Sequence, residues 1–126
     1  MSETTLTGRA ILVAEDEYFT ATDLRQELTR LGASVIGPAP SLERAMDLID
    51  AALSIDAAVL DINLGGETIF PAAERLIQRG VPFLFTTGYD QPMIPSRFER
   101  IPRCEKPVSP EKLIRTLASV LPNRPS

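Results

Sequence analysis

Asp16, Asp61, Thr87 and Lys106 each stand at or just past the end of a hydrophobic run in this chain of 126 residues. Acids, a hydroxyl and an ammonium gathered on one edge describe a site for phosphoryl oxygens and hard cations. Glu15 lies beside Asp16, and adjacent carboxylates at a strand end repel unless a cation holds them together. Mg2+ suits oxygen ligands, few carboxylates, retained waters and phosphate oxygens, with Mn2+ an alternative. With no histidine and one cysteine, Cys104, zinc and copper sites have little support. The plainer reading of the acids is a helix start, where carboxylates complement the macrodipole, and Glu17 fits that role best. Asp61 follows a wholly apolar run, where it could act as a nucleophile toward phosphorus or simply cap a turn. Thr87 could donate to a phosphoryl oxygen or pack as a β-branched strand residue. Lys106, before Pro107, could pair with a carboxylate or phosphoryl oxygen or stay solvated. Each signal is weak alone; their joint order is strong.

The elements that must position these residues alternate along the chain. Residues 10–14, 57–60 and 82–86 are short apolar runs, as in parallel strands covered on both faces. Open α/β sheets place their chemistry at the C-terminal ends of such strands. Residues 34–37 form a short second strand, and Pro38 and Pro40 mark the turn after it. Residues 101–105 are expected as a fifth strand mainly because the repeat demands one. Ala21, Leu24, Leu28 and Leu31 recur at helical spacing, and Gly32 can end that helix. Ser41 is a candidate N-cap for a helix turning Ala45, Ile49 and Ala52 inward, with Leu48 alongside. A third helix spans residues 68–79, with Pro71 tolerable in its first turn, and residues 62–66 read as a loop. Ser109-Pro110 caps and opens the last helix, carrying Leu113, Ile114, Leu117 and Leu121. Between Gly88 and Ile101, Pro92 and Pro95 interrupt the helix the repeat would require. The expected result there is a loop or a single irregular turn, with only residues 96–100 free of proline, rather than a regular helix. Alternating strands and helices mean a doubly wound parallel α/β sheet with right-handed crossovers.

Composition narrows the classes further. The chain is 44% hydrophobic and 24% charged, with a net charge of −4, which fits one globular domain and argues against a nucleic-acid face. No apolar run has membrane-spanning length, and the start lacks a signal core. The single cysteine fits a reducing compartment, so a cytoplasmic domain is expected. Residues 1–8 read as a flexible leader, 9–121 as one domain and 122–126 as a tail.

The motifs Ile11-Leu12-Val13-Ala14-Glu15-Asp16-Glu17, Leu60-Asp61, Thr87-Gly88 and Lys106-Pro107 resemble the CheY-like receiver domain of two-component response regulators. The resemblance covers residues 9–121 and implies a flavodoxin-like fold with five parallel strands in the order 2-1-3-4-5. It implies Asp61 as phosphoacceptor and Asp16 as a direct Mg2+ ligand, with Glu15 acting largely through water. Asn63 would lend its backbone carbonyl to the metal, Thr87 would be the switch hydroxyl and Lys106 the charge that follows the phosphoryl group. A cis Lys106–Pro107 peptide is also implied. Asn63 and Tyr89 hold positions that tune dephosphorylation. The implied role is a phosphoacceptor rather than an enzyme, served by a sensor histidine kinase, with a phosphotransfer or downstream protein as further partner.

Two departures narrow the resemblance. Arg103 stands where most receivers carry a Tyr or Phe that moves with the switch threonine. Phe85-Thr86-Thr87-Gly88-Tyr89 is similar to the Phe-Ala-Thr-Gly (FAT GUY) subfamily, with Thr86 in place of Ala. Members often lack the aromatic switch, have a disturbed fourth helix and pair with unconventional kinases. No output domain is expected after the last helix, so the chain would relay phosphate, act as a sink or regulate a partner; homodimerisation stays open. A phosphorylation-independent pseudo-receiver is the main alternative. An Asp-nucleophile phosphatase fits less well, because such enzymes place an acid two residues after the nucleophile, where this chain has Asn63.

Overall fold

In the computed structural model, which describes residues 6–88 and 93–122, five parallel strands form one sheet. In chain order the elements are β1 (Ala10–Ala14), α1 (Tyr18–Arg30), β2 (Ser34–Ala39), α2 (Leu42–Ala51) and β3 (Ala57–Asp61). A short pair follows, β4 (Asn63–Leu64) and β5 (Glu67–Thr68), then α3 (Phe70–Gln78) and β6 (Phe83–Thr87). A 3-10 turn (Ser96–Phe98), β7 (Arg103–Glu105) and α4 (Pro110–Val120) complete the chain. The sheet order is β2-β1-β3-β6-β7, which is the expected 2-1-3-4-5 once the separate β4-β5 pair is set aside.

Alternation along the strands sorts the core into two layers, because successive side chains point to opposite faces. Ile11, Val13, Val59, Leu84 and Cys104 pack with Leu24, Leu28, Leu113 and Leu117 of α1 and α4. Leu12, Leu60, Phe83 and Phe85 pack with Ala45, Ile49 and Leu76 of α2 and α3, and with Phe98. The 3-10 turn stands where a regular helix would lie, and Phe98 is its buried anchor. Its ring is stacked on Phe70 at 5.5 Å and edge-on to Phe85 at 5.9 Å.

Two expectations require correction. The second strand continues through Pro38 to Ala39 rather than turning at Pro38. It is an edge strand, where a missing donor is tolerated. Gly37 has φ +101°, and a Cβ there would lie 2.8 Å from the Val13 carbonyl oxygen, so the close strand approach needs glycine. The loop expected at residues 62–66 is part of an antiparallel β4-β5 hairpin that runs on through Thr68, so the helix expected from residue 68 begins at Phe70. Gly65 (φ 57°) and Gly66 (φ 94°) supply the two left-handed residues that a tight hairpin turn demands.

The caps agree with the sequence. The Ser41 hydroxyl accepts from the Arg44 N–H at 3.1 Å, and that of Ser109 from the Lys112 N–H at 3.2 Å. Ser41→Ala is therefore expected to lower stability by about 1 kcal/mol in urea unfolding, with an unchanged denaturant slope. An unchanged midpoint would show that the cap contributes nothing.

Candidate functional site

Three parallel strands deliver the acids and the lysine to one edge. β1 ends at Ala14, so Glu15 and Asp16 follow directly, and Glu17 then caps α1. The Glu17 carboxylate accepts from the Thr20 N–H at 2.9 Å and the Phe19 N–H at 3.3 Å. Those two bonds hold its pKa below the ordinary glutamate value. Glu17 thus takes the helix-start role its position suggested.

Asp61 is the last residue of β3, 3% exposed, and Glu15 is 5% exposed. The Lys106 ammonium donates to Asp61 Oδ2 at 2.7 Å and lies 3.0 Å from Glu15 Oε1. One lysine thus serves two buried carboxylates. Burial pushes the Glu15 pKa up, and the Asp61 charge adds to it, against the Glu17 N–H and Lys106, which pull it down. Burial works to lower the Lys106 pKa, but its hydrogen bonds to Asp61 and Glu15 outweigh that, and it is raised.

Asp16 is exposed and is held from the hairpin, accepting from the Gly65 N–H at 2.9 Å. Carboxylate oxygens of Glu15, Asp16 and Asp61 lie within 4.8 Å of one another. An all-oxygen set with a charge excess over one lysine suits a hard divalent cation. The set therefore passes the chemical test for Mg2+.

Asn63 donates its N–H to Asp61 Oδ1 at 3.3 Å, and its side-chain oxygen accepts from the Gly66 N–H at 2.9 Å. The Ile69 N–H donates to the Ile62 carbonyl at 2.8 Å, so the next pair, Asn63 with Thr68, is a non-hydrogen-bonded pair of the ladder. The Asn63 carbonyl is thereby turned away from β5. Thr87 ends β6, is 8% exposed, and its carbonyl accepts from the Lys106 N–H at 2.7 Å. Thr86, one residue earlier, is in register with Asp61. The peptide between Lys106 and Pro107 is cis.

Arg103 is exposed on the edge strand β7, in register with Phe85. Tyr89 lies outside the described residues. Sequence reasoning missed the Gly65 N–H as a partner of Asp16. The two glycines between Leu64 and Glu67 were the available signal, since two such residues between extended segments mark a tight hairpin.

No protein-family model matches the chain, and a search of curated proteins finds no match. Solved structures do match. SdrG from Sphingomonas melonis, solved in solution, is 35% identical, with a TM-score of 0.77 over 89% of this chain and 95% of that one. The response regulator PhyR from Brucella abortus is 26% identical with a TM-score of 0.72, over 93% of this chain and 49% of PhyR. A CheY-like response regulator receiver domain protein from Methanospirillum hungatei shares the fold at 18% identity, with a TM-score of 0.76 over 89% of this chain and 93% of that one. The chain belongs to the family of response-regulator receiver domains.

Proposed function

We propose that this receiver accepts a phosphoryl group on Asp61 from a sensor histidine kinase or phosphotransfer protein. The observation that carries the proposal is a buried Asp61 carboxylate, held by Lys106 at 2.7 Å, beside two further acids at the sheet edge. An Asp61 oxygen forms a bond to phosphorus as the donor's bond to phosphorus breaks, giving an acyl phosphate. Lys106 is placed to follow the transferred group and balance its charge, since phosphoryl transfer rests largely on positioning and charge neutralisation. Glu15, Asp16, Asp61 and the Asn63 carbonyl would hold Mg2+ or Mn2+, which when bound would neutralise charge on the phosphoryl oxygens. The Thr87 hydroxyl is the group proposed to follow the phosphoryl oxygens. Asn63 and Tyr89 would tune the lifetime of the product.

The exposed Arg103 supports assignment to the Phe-Ala-Thr-Gly subfamily, because it leaves β7 without the usual aromatic switch. In its place we propose that residues 88–103, anchored by Phe98, carry the signal to a partner protein. That partner is a kinase, phosphotransfer or downstream protein in the cytoplasm. The rival pseudo-receiver reading expects eroded site residues, yet Asp16, Asp61, Thr87 and Lys106 are all present.

The test is incubation of the protein with Mg2+ and acetyl phosphate, followed by intact mass measurement. One added phosphoryl group, lost when Mg2+ is removed with a chelator, is expected. No addition, together with no Mg2+-dependent binding of beryllofluoride, would favour the pseudo-receiver, and repeated turnover of a phosphomonoester would favour a phosphatase.

A further inference from the structure

A cavity of about 490 Å³ opens between α1 and α4 on one face of the sheet. Leu24, Val59, Val108 and Leu113 supply much of its wall, and Glu15 and Lys106 border it, whereas Asp16, Asp61 and Thr87 do not line it. Its volume falls within the range of roughly 300–1,000 Å³ typical of small-molecule sites, which are mostly apolar with a few placed polar groups.

Thr86 supplies such a group. It shares the α1/α4 face with Leu84, two residues earlier on the strand, and lines the cavity at 5% exposure. Its carbonyl accepts from the Ile62 N–H, but among the described residues its hydroxyl has no hydrogen-bond partner. A buried hydroxyl without a partner in the protein favours a ligand that can complete its bonding. Charge narrows the choice. The carboxylates of Glu15 and Asp23 border the cavity and disfavour anions, while the Lys106 ammonium disfavours cations.

We infer that this cavity is a binding site for small uncharged molecules with an apolar body and one hydroxyl, which exchanges hydrogen bonds with Thr86. The site stands on the cavity and Thr86, and its existence does not depend on the role proposed for Asp61.

The probes are benzyl alcohol, toluene and benzoate, titrated into the 15N-labelled full chain and followed by amide chemical shifts. Benzyl alcohol and toluene should shift the amides of Leu24, Val59, Thr86 and Leu113, and benzoate should not. Thr86→Val should weaken benzyl alcohol about fivefold, the contribution of one ordinary hydrogen bond, and leave toluene within about twofold. Thr86→Ser should restore the alcohol affinity. The assignment is overturned if the shifts are absent, if they centre on the exposed Tyr18 and Phe19, or if Thr86→Val affects both probes alike. Should Thr86→Val fail to fold, a selective loss in Thr86→Ala with retention in Thr86→Ser supports the site, and equal affinities in those two overturn it.

Discussion

Asp61→Asn is expected to take up no phosphoryl group from acetyl phosphate under conditions where the parent chain takes up one. The substitution keeps the volume and shape of a side chain that is 3% exposed, so packing is little disturbed. It removes the anionic oxygen that would attack phosphorus, and a neutral amide oxygen is a far weaker nucleophile. The lysine keeps a partner, because Glu15 Oε1 lies 3.0 Å from its ammonium. The introduced amide oxygen can also accept from Lys106, and the mutual repulsion of two buried carboxylates is relieved. Thermal unfolding should therefore change little while labelling falls to zero, and that separation makes the experiment decisive. Labelling at the parent level would place the acceptor elsewhere; a large loss of stability would leave Lys106→Met to report whether the charge pair or the fold is responsible.

The second large effect is on stability. Phe98→Ala is expected to cost about 3–5 kcal/mol, the range for deleting a fully buried aromatic side chain. Phe98 has no exposed surface and packs against both Phe70 and Phe85. The guanidinium of Arg97 covers the ring at 4.6 Å and is tied to Glu74 of α3 at 2.9 Å. That outer ion pair is largely exposed and contributes little on its own, so the ring carries the anchoring. In a domain of this size the loss amounts to roughly 10–20 °C in Tm. Phe98→Leu should retain most of the stability, since it keeps an apolar body in the site. A Phe98→Ala midpoint within about 2 °C of the parent would mean that the turn detaches without loss to the core.

That anchor marks where sequence reasoning stopped. Pro92 and Pro95 announced the loss of a regular helix, because a proline beyond the first turn lacks the needed N–H and its ring clashes with the preceding turn. Phe98 is a single aromatic among Arg97, Glu99 and Arg100, and with no periodicity around it nothing local says that it turns inward. The strands bearing Asp61 and Thr87 were legible because a strand covered on both faces is continuously apolar. β7 has three residues with only Cys104 buried, so the alternation of strands and helices suggested it where its own pattern could not. The passage of β2 through Pro38 depends on its lying at the sheet edge, which is a property of topology and not of the segment. The clustering of Glu15, Asp16 and Asp61 was legible from strand ends, whereas the backbone donor from Gly65 depends on a hairpin whose fold-back a loop reading does not contain.

The alternation of β6 has one more consequence. Thr86 faces the α1/α4 layer and Thr87 belongs to the opposite alternation, yet the two share a single peptide unit whose movement neither can escape. If filling the cavity changes how strongly the site beside Thr87 holds a phosphoryl group, that group must change the cavity's affinity by the same factor. The strand end is thus a two-sided balance, readable from either pan.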